Sequence, residues 1–210
     1  MLDVYHWPYD SAYPTVCLDE TSKQLVGAVR TPQPATPGQP AREDDEYERR
    51  GVANLFVVTE PLTGWRQVTV TDQRTAQDFA HVIQDRVDGR YPAAERITLM
   101  LDNRNTHSIA ALYSTFAPAE AKRLADKLEI HHTPNHGSWL NMAEIAFSVL
   151  ARQCLDRRIA DKETLMPEVA AWEAARNRAG VGAKWRFTTA DARIRLHRLY
   201  PAIPDCLPPK

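Results

Sequence analysis

Residues Leu128–Glu144 read LEIHHTPNHGSWLNMAE, and the architecture is most open to reading there. Leu128 to His132 is a short β-prone run, and Thr133-Pro134 and Gly137 then break it. A helix is expected to open at Ser138, whose hydroxyl suits an N-cap. Leu140, Ala143, Phe147, Leu150 and Cys154 recur at helical spacing as an apolar stripe, with Asn141, Glu144, Ser148 and Arg152 as a polar stripe beside it. On this reading Glu144 stands on the second turn. A carboxylate held on a helix just beyond a strand is a place to hold a metal ion.

Two upstream runs repeat the pattern. Thr15 to Leu18 is apolar and ends on Asp19-Glu20, and Ile97 to Leu101 (ITLML) is fully apolar and delivers Asp102. Such runs suit strands buried on both faces. If the three strands lie side by side, Asp19, Asp102 and Glu144 converge at one edge of the sheet. Carboxylate oxygens suit Mg²⁺ or Mn²⁺. Two such ions, ~4 Å apart, stabilise the attacking and leaving oxygens of an in-line phosphoryl displacement. Glu20 is left out, because the two-residue period of a strand points it to the opposite face.

Further strands are predicted at Gln24 to Val29, Val52 to Thr59 and Trp65 to Thr71, the last two as a hairpin. Helices are predicted over Thr75 to Val87, about His107 to Phe116, from Pro118, after Asp161, and over Thr189 to Leu199. Residues 1–14 read as an irregular lead-in. Residues 31–50 read as an exposed Pro-rich and charged loop within a domain over 15–180, and residues 181–210 as a basic helix and Pro-rich tail on the same domain. The order of elements gives an α/β class, a mixed central sheet flanked by helices.

Composition excludes several classes. The 210 residues are 43% hydrophobic and 25% charged, as in an ordinary soluble domain. No long apolar run suggests a membrane span, and the N-terminus lacks the layout of a secretory signal. Cys17, Cys154 and Cys206 are too sparse for a disulfide framework and point to the reducing cytoplasm. Net charge is −1, but it is unevenly spread: from Ala151 onward there are 12 Lys+Arg against 7 Asp+Glu, and before it 14 against 20. A basic last third could follow a phosphate backbone while the acidic part holds metal.

The pieces CLDETS (Cys17 to Ser22), LDNRNTH (Leu101 to His107) and HHTPNHGSWLNMAE (His131 to Glu144) resemble, in the same order, the catalytic domain of bacterial insertion-sequence transposases related to the mariner group. The likeness extends through ARQCLDRRI and WRFTTADAR, over essentially the whole chain. It implies a ribonuclease H-like fold and a DDE site of Asp19, Asp102 and Glu144. It further implies two Mg²⁺ or Mn²⁺ ions, cleavage of DNA at transposon ends, joining of the 3′-hydroxyl to target DNA, and a homodimer on DNA. Family members carry an N-terminal helix-turn-helix region, whereas almost nothing precedes the first catalytic strand here, so sequence-specific DNA binding is not expected of this chain alone. A lysine is usual where Asn135 stands, and an acid where Ala146 stands. The alternative is a truncated, non-catalytic remnant that binds DNA weakly or associates with a full-length transposase; a nuclease without strand transfer would use the same carboxylates.

Around the triplet, Asn103 and His107 could orient Asp102 or touch substrate, and His136 could face DNA. Asn141 could bind a phosphate or a metal-bound water, and Arg152 a phosphate. The HHxxxH spacing of His131, His132 and His136 matches no standard zinc site. Trp139, at a helix start, is expected to pack beneath the site rather than to stack a base.

Overall fold

The structure, a computed structural model, describes residues 2–42, 44–102, 108–134, 137–195 and 197. Among them, five strands form one sheet: β1 (Thr15–Ala28), β2 (Tyr47–Glu60), β3 (Trp65–Thr71), β4 (Ile97–Leu101) and β5 (Leu128–His132), in the order β3-β2-β1-β4-β5. β1, β2 and β3 are antiparallel, while β4 and β5 run parallel to β1. This is the mixed sheet of the ribonuclease H-like fold, covered by helices on both faces.

The parallel strands β4 and β5 return through helices, as parallel connections must. Between β3 and β4 lies α1 (Ala76–Asp85), started by a reciprocal capping box between Thr75 and Asp78. A wider π turn, Arg86–Arg90, extends it. Between β4 and β5 lie α2 (Ile109–Thr115) and α3 (Pro118–Asp126). Val16, Leu18, Phe56 and Val58 from the sheet meet Phe79, Ile83, Leu112 and Leu124 from these helices in one core layer. After β5 the chain forms α4 (Ala143–Leu150), a π turn (Ala151–Leu155), α5 (Lys162–Ala179) and α6 (Thr189–Arg195). Leu25, Leu55 and Val57 on the other face pack against Ala146, Leu150, Leu165 and Trp172. Asp161 caps α5 by accepting from the Thr164 N–H at 2.7 Å, and Gly180 in the left-handed region ends it.

Several boundaries differ from the sequence reading. Asp19 does not end its strand: Thr15 to Leu18 and Gln24 onward are one continuous β1, because antiparallel pairing with β2 carries the polar residues between them. β2 begins at Tyr47, inside what reads as a loop, since Tyr47 and Glu48 complete the ladder with Ala28 and Gly27. Ser138 does not cap a helix. Ser138–Leu140 is a 3₁₀ turn, and α4 begins only at Ala143, so Glu144 stands in its first turn. The lead-in is not irregular throughout: Leu2–His6 is a 3₁₀ turn that buries Val4 and Tyr5. The predicted start of the second helix at His107, the residues after Arg195 apart from His197, and Cys206 lie outside the described residues. Cys17 and Cys154 are buried free thiols. Among the described residues no helix is long and apolar enough to cross a membrane.

Candidate active site

β1 and β4 are neighbours and parallel, with Cys17 opposite Met100. Asp19 follows two residues after that last pair on β1, and Asp102 comes directly after β4 ends at Leu101. Alternation along β1 puts Asp19 on the face of Cys17, which packs with Met100 against Met142 and Ala143 at the start of α4. Neighbouring strands are about 5 Å apart. The sheet therefore aims Asp19 toward the helix that carries Glu144. Asp19 is 2% exposed and Asp102 is likewise buried, whereas Glu144 is exposed.

Burial above all pushes the Asp19 carboxyl up to about 7, and the negative charges of Asp102, Glu144 and Glu20 push the same way. The Glu20 backbone N–H, which donates to Asp19 Oδ1 at 2.9 Å, pulls the other way. Glu20 itself is buried on the other side of β1, opposite Phe56. The three carboxylates thus share one electrostatic site. Among the described residues no group of three His, Cys, Asp or Glu side chains is gathered closely enough to be a formed metal centre. The donor chemistry fits a hard divalent cation: an all-oxygen set, with a buried carboxyl whose ionisation a nearby cation would favour.

Asn141 has the most direct structural tie to the site. It is fully buried, and its Nδ2 donates to the Leu18 carbonyl at 2.9 Å and to Asp19 Oδ2 at 3.4 Å. Its Oδ1 accepts from the Ala143 N–H, so one side chain links β1 to the first turn of α4. Tyr5, which sequence reasoning missed, fixes the same turn. Its hydroxyl donates to the Leu140 carbonyl at 2.9 Å and accepts from the Met142 N–H at 3.3 Å. Burial holds the Tyr5 hydroxyl neutral, far above its ordinary value, and pushes the Cys17 thiol beside it up to about 12.

The remaining candidates fall elsewhere. Arg152 is exposed on the π turn after α4 and lines a surface cavity of about 400 Å³ with Arg157, Glu168 and Trp172, which none of the three carboxylates lines. A cavity of about 100 Å³ beside α4, lined by Arg66, Met142, Ile145 and Arg176, also lacks them. His131 pairs with Glu129 at 2.9 Å, and His132 meets the Asp102 carbonyl at 3.3 Å. Asn103, His107, Asn135 and His136 lie outside the described residues. Trp139 does not pack beneath the site: it is 48% exposed, because Leu140 rather than Trp139 turns inward from the 3₁₀ turn.

The fold is similar to that of solved Mos1 mariner complexes. One, a paired end complex with Mn, superposes with a TM-score of 0.55 at 18% identity, over 86% of this chain and 54% of that one. The paired end complex with Mg gives 0.54 at 18%, over 86% and 53%. The Mos1 strand transfer complex gives 0.54 at 16%, over 80% and 50%. The chain thus spans about half the length of these solved relatives. No curated protein sequence matches it significantly. A family model described as DDE superfamily endonuclease matches residues 14–166, a span that takes in all three carboxylates, and the chain therefore belongs to that family.

Proposed function

We propose that this chain is the catalytic domain of a DNA transposase of the insertion-sequence type, with Asp19, Asp102 and Glu144 as its metal-binding catalytic residues. The observation that carries the reading is Asp19 on β1, whose carboxyl is raised first by burial and then by the charges of Asp102 and Glu144. It is supported by the family match, and by solved relatives described as paired-end and strand-transfer complexes, two of them with Mn or Mg.

The three carboxylates would hold Mg²⁺ or Mn²⁺, expected as two ions, which stabilise charge on the attacking and leaving oxygens of an in-line phosphoryl displacement. The protein's own part is positioning. β1 holds Asp19, and Asp102 follows directly on the buried β4, so little rearrangement is needed when the site fills. Asn141 orients Asp19, and Tyr5 locks the turn that leads into Glu144. In the proposed reaction, water attacks a phosphodiester at the transposon end and releases a 3′-hydroxyl. That hydroxyl then attacks a phosphodiester of target DNA and displaces the target's own 3′ oxygen. Two ends must be held together, so a homodimer on DNA is expected, acting in the cytoplasm.

The test is end joining. A duplex with a pre-cut 3′-hydroxyl end is incubated with supercoiled target plasmid and Mn²⁺ or Mg²⁺. Covalent joining that disappears in Asp102→Asn supports a transposase. Nicking of the plasmid without joining points instead to a nuclease that uses the same carboxylates.

A further inference from the structure

We propose that Arg66 and Arg176 form a binding site for a small free oxyanion, of the phosphate or carboxylate class, in the cavity between α4, α5 and the turn that joins β2 to β3. None of the three catalytic candidates lines that cavity, so the site stands or falls apart from the reading of their chemistry.

The cavity has fixed walls. Ile145 and Val149 of α4 line one side, and Val181 and Gly182 line another. The second wall is tied to the turn: the Ala183 N–H donates to the Pro61 carbonyl at 2.7 Å, and Arg66 Nη2 donates to the Gly64 carbonyl at 2.8 Å and to the Val181 carbonyl at 2.9 Å. Arg66 is 5% exposed, and its guanidinium lies 5.8 Å from the centre of the Trp172 ring. Ile145 and Val181 are exposed, so the cavity has a way to solvent between α4 and the segment after α5.

Charge is what the cavity lacks. Arg66 and Arg176 line it together with no acidic residue, and neither makes an ion pair among the described residues. Arg176 Nε is buried without a hydrogen-bond partner. Arg66 commits Nε and Nη2 to backbone carbonyls, which leaves Nη1 uncommitted among the described residues. Burial, and then the charge of Arg176, lowers the hold of Arg66 on its proton, and no carboxylate offsets them. Two like charges taken out of water without a counter-ion are costly, and an anion between them relieves both the repulsion and the missing hydrogen bond. Guanidinium forks match the oxygens of phosphate and carboxylate. Size decides for a free ion. The cavity holds about 100 Å³, well below the roughly 300–1,000 Å³ of pockets that take a whole small molecule. A backbone phosphate of DNA brings a sugar on either side, for which this apolar-walled space has neither room nor partners. An ion held there ties α5 and β3 to α4, the helix that carries Glu144.

The experiment titrates the full chain with sodium phosphate and, separately, with sodium acetate, by calorimetry and by thermal unfolding, in EDTA at constant ionic strength. Wild type should bind one ion per chain and melt at a higher temperature with it; the tighter of the two ions names the class. Arg176→Gln removes no hydrogen bond of the folded chain, and it should bind at least about tenfold more weakly, as the loss of a charged hydrogen bond implies. Arg176→Lys, which keeps the charge and loses the fork, should fall between them. Without added oxyanion, Arg176→Gln should melt no lower than wild type, because the repulsion on Arg66 is gone. A side chain with a merely structural role would lower it. No binding of either ion up to about 50 mM, or equal binding by Arg176→Gln, overturns the site. So does a short DNA duplex that displaces phosphate from wild type one for one, since the guanidiniums would then serve a nucleic-acid backbone.

Discussion

Replacing Asp19 with Asn should make the metal-free protein more stable at neutral and alkaline pH. The folded chain holds the Asp19 carboxyl at about 7 against an ordinary 3.8. A carboxyl raised on folding favours the protonated form in the native state. Its stability is complete below about 3.8 and is lost as pH rises to about 7. Raising a carboxyl over that interval amounts to a ceiling of about 4 kcal/mol above pH 7. Asn keeps an oxygen for the Glu20 N–H and carries no charge, so it escapes most of this penalty. For a chain of this length each kcal/mol moves Tm by about 2–4 °C, which sets a shift on the order of 10 °C as the upper bound. The assay is thermal unfolding of both proteins in EDTA from pH 5 to pH 8, repeated with saturating Mg²⁺. Wild type should fall relative to Asp19→Asn as pH rises, and Mg²⁺ should restore wild type while leaving the variant nearly unmoved. If the variant is the less stable of the two at pH 8 in EDTA, the electrostatic account of the site is wrong.

Two further substitutions test the supports around that carboxylate, and a third tests how residues 181–183 dock on the β2–β3 turn. Asn141→Ala leaves the buried Leu18 carbonyl without its partner and frees Asp19 Oδ2, so it should lower stability by about 1–3 kcal/mol in urea unfolding and reduce DNA cleavage further than the stability loss explains. Tyr5→Phe removes the hydroxyl shared by Leu140 and Met142; a loss of about 1–2 kcal/mol is expected, with a matching drop in metal affinity by calorimetry. Gly64→Ala places a methyl group at positive φ, within 2.5 Å of the Val181 backbone. It should destabilise by at least about 2 kcal/mol and loosen residues 181–183 from Pro61 in hydrogen exchange.

Where the sequence told the fold, it did so through pattern. Ile97 to Leu101 is apolar throughout because β4 is buried on both faces, and Trp65 to Thr71 alternates because one face of β3, with Val68 and Val70, packs on the helix-covered core. The stripe Leu165, Val169, Trp172 behind the Asp161 cap is helical for the same local reasons. What it hid depends on partners distant in sequence. β1 passes through Thr21 to Gln24, polar residues that only the β2 ladder keeps in a strand, with a bulge after Leu25. Ser138 has the chemistry of a cap, yet the turn is set by Asn141 reaching inward to Leu18. Tyr5 gave no signal at all, lying in a Tyr- and Pro-rich lead-in and bonding a carbonyl 135 residues away. The candidate carboxylates could be named from three motifs in order. That Asp19 is buried within reach of the charges of Asp102 and Glu144 required the folded chain.

On this proposal Asp19, Asp102 and Glu144 act together as one metal-dependent catalytic site. Its most direct test is nicking of supercoiled plasmid by wild type, Asp19→Asn, Asp102→Asn and Glu144→Gln, each with Mg²⁺, with Mn²⁺ and with EDTA. The account predicts nicking by wild type in either metal, none in EDTA, and loss of at least about a hundredfold in every variant, whatever its stability. Nicking that persists in EDTA, or in any one of the three folded variants at the wild-type rate, would contradict it.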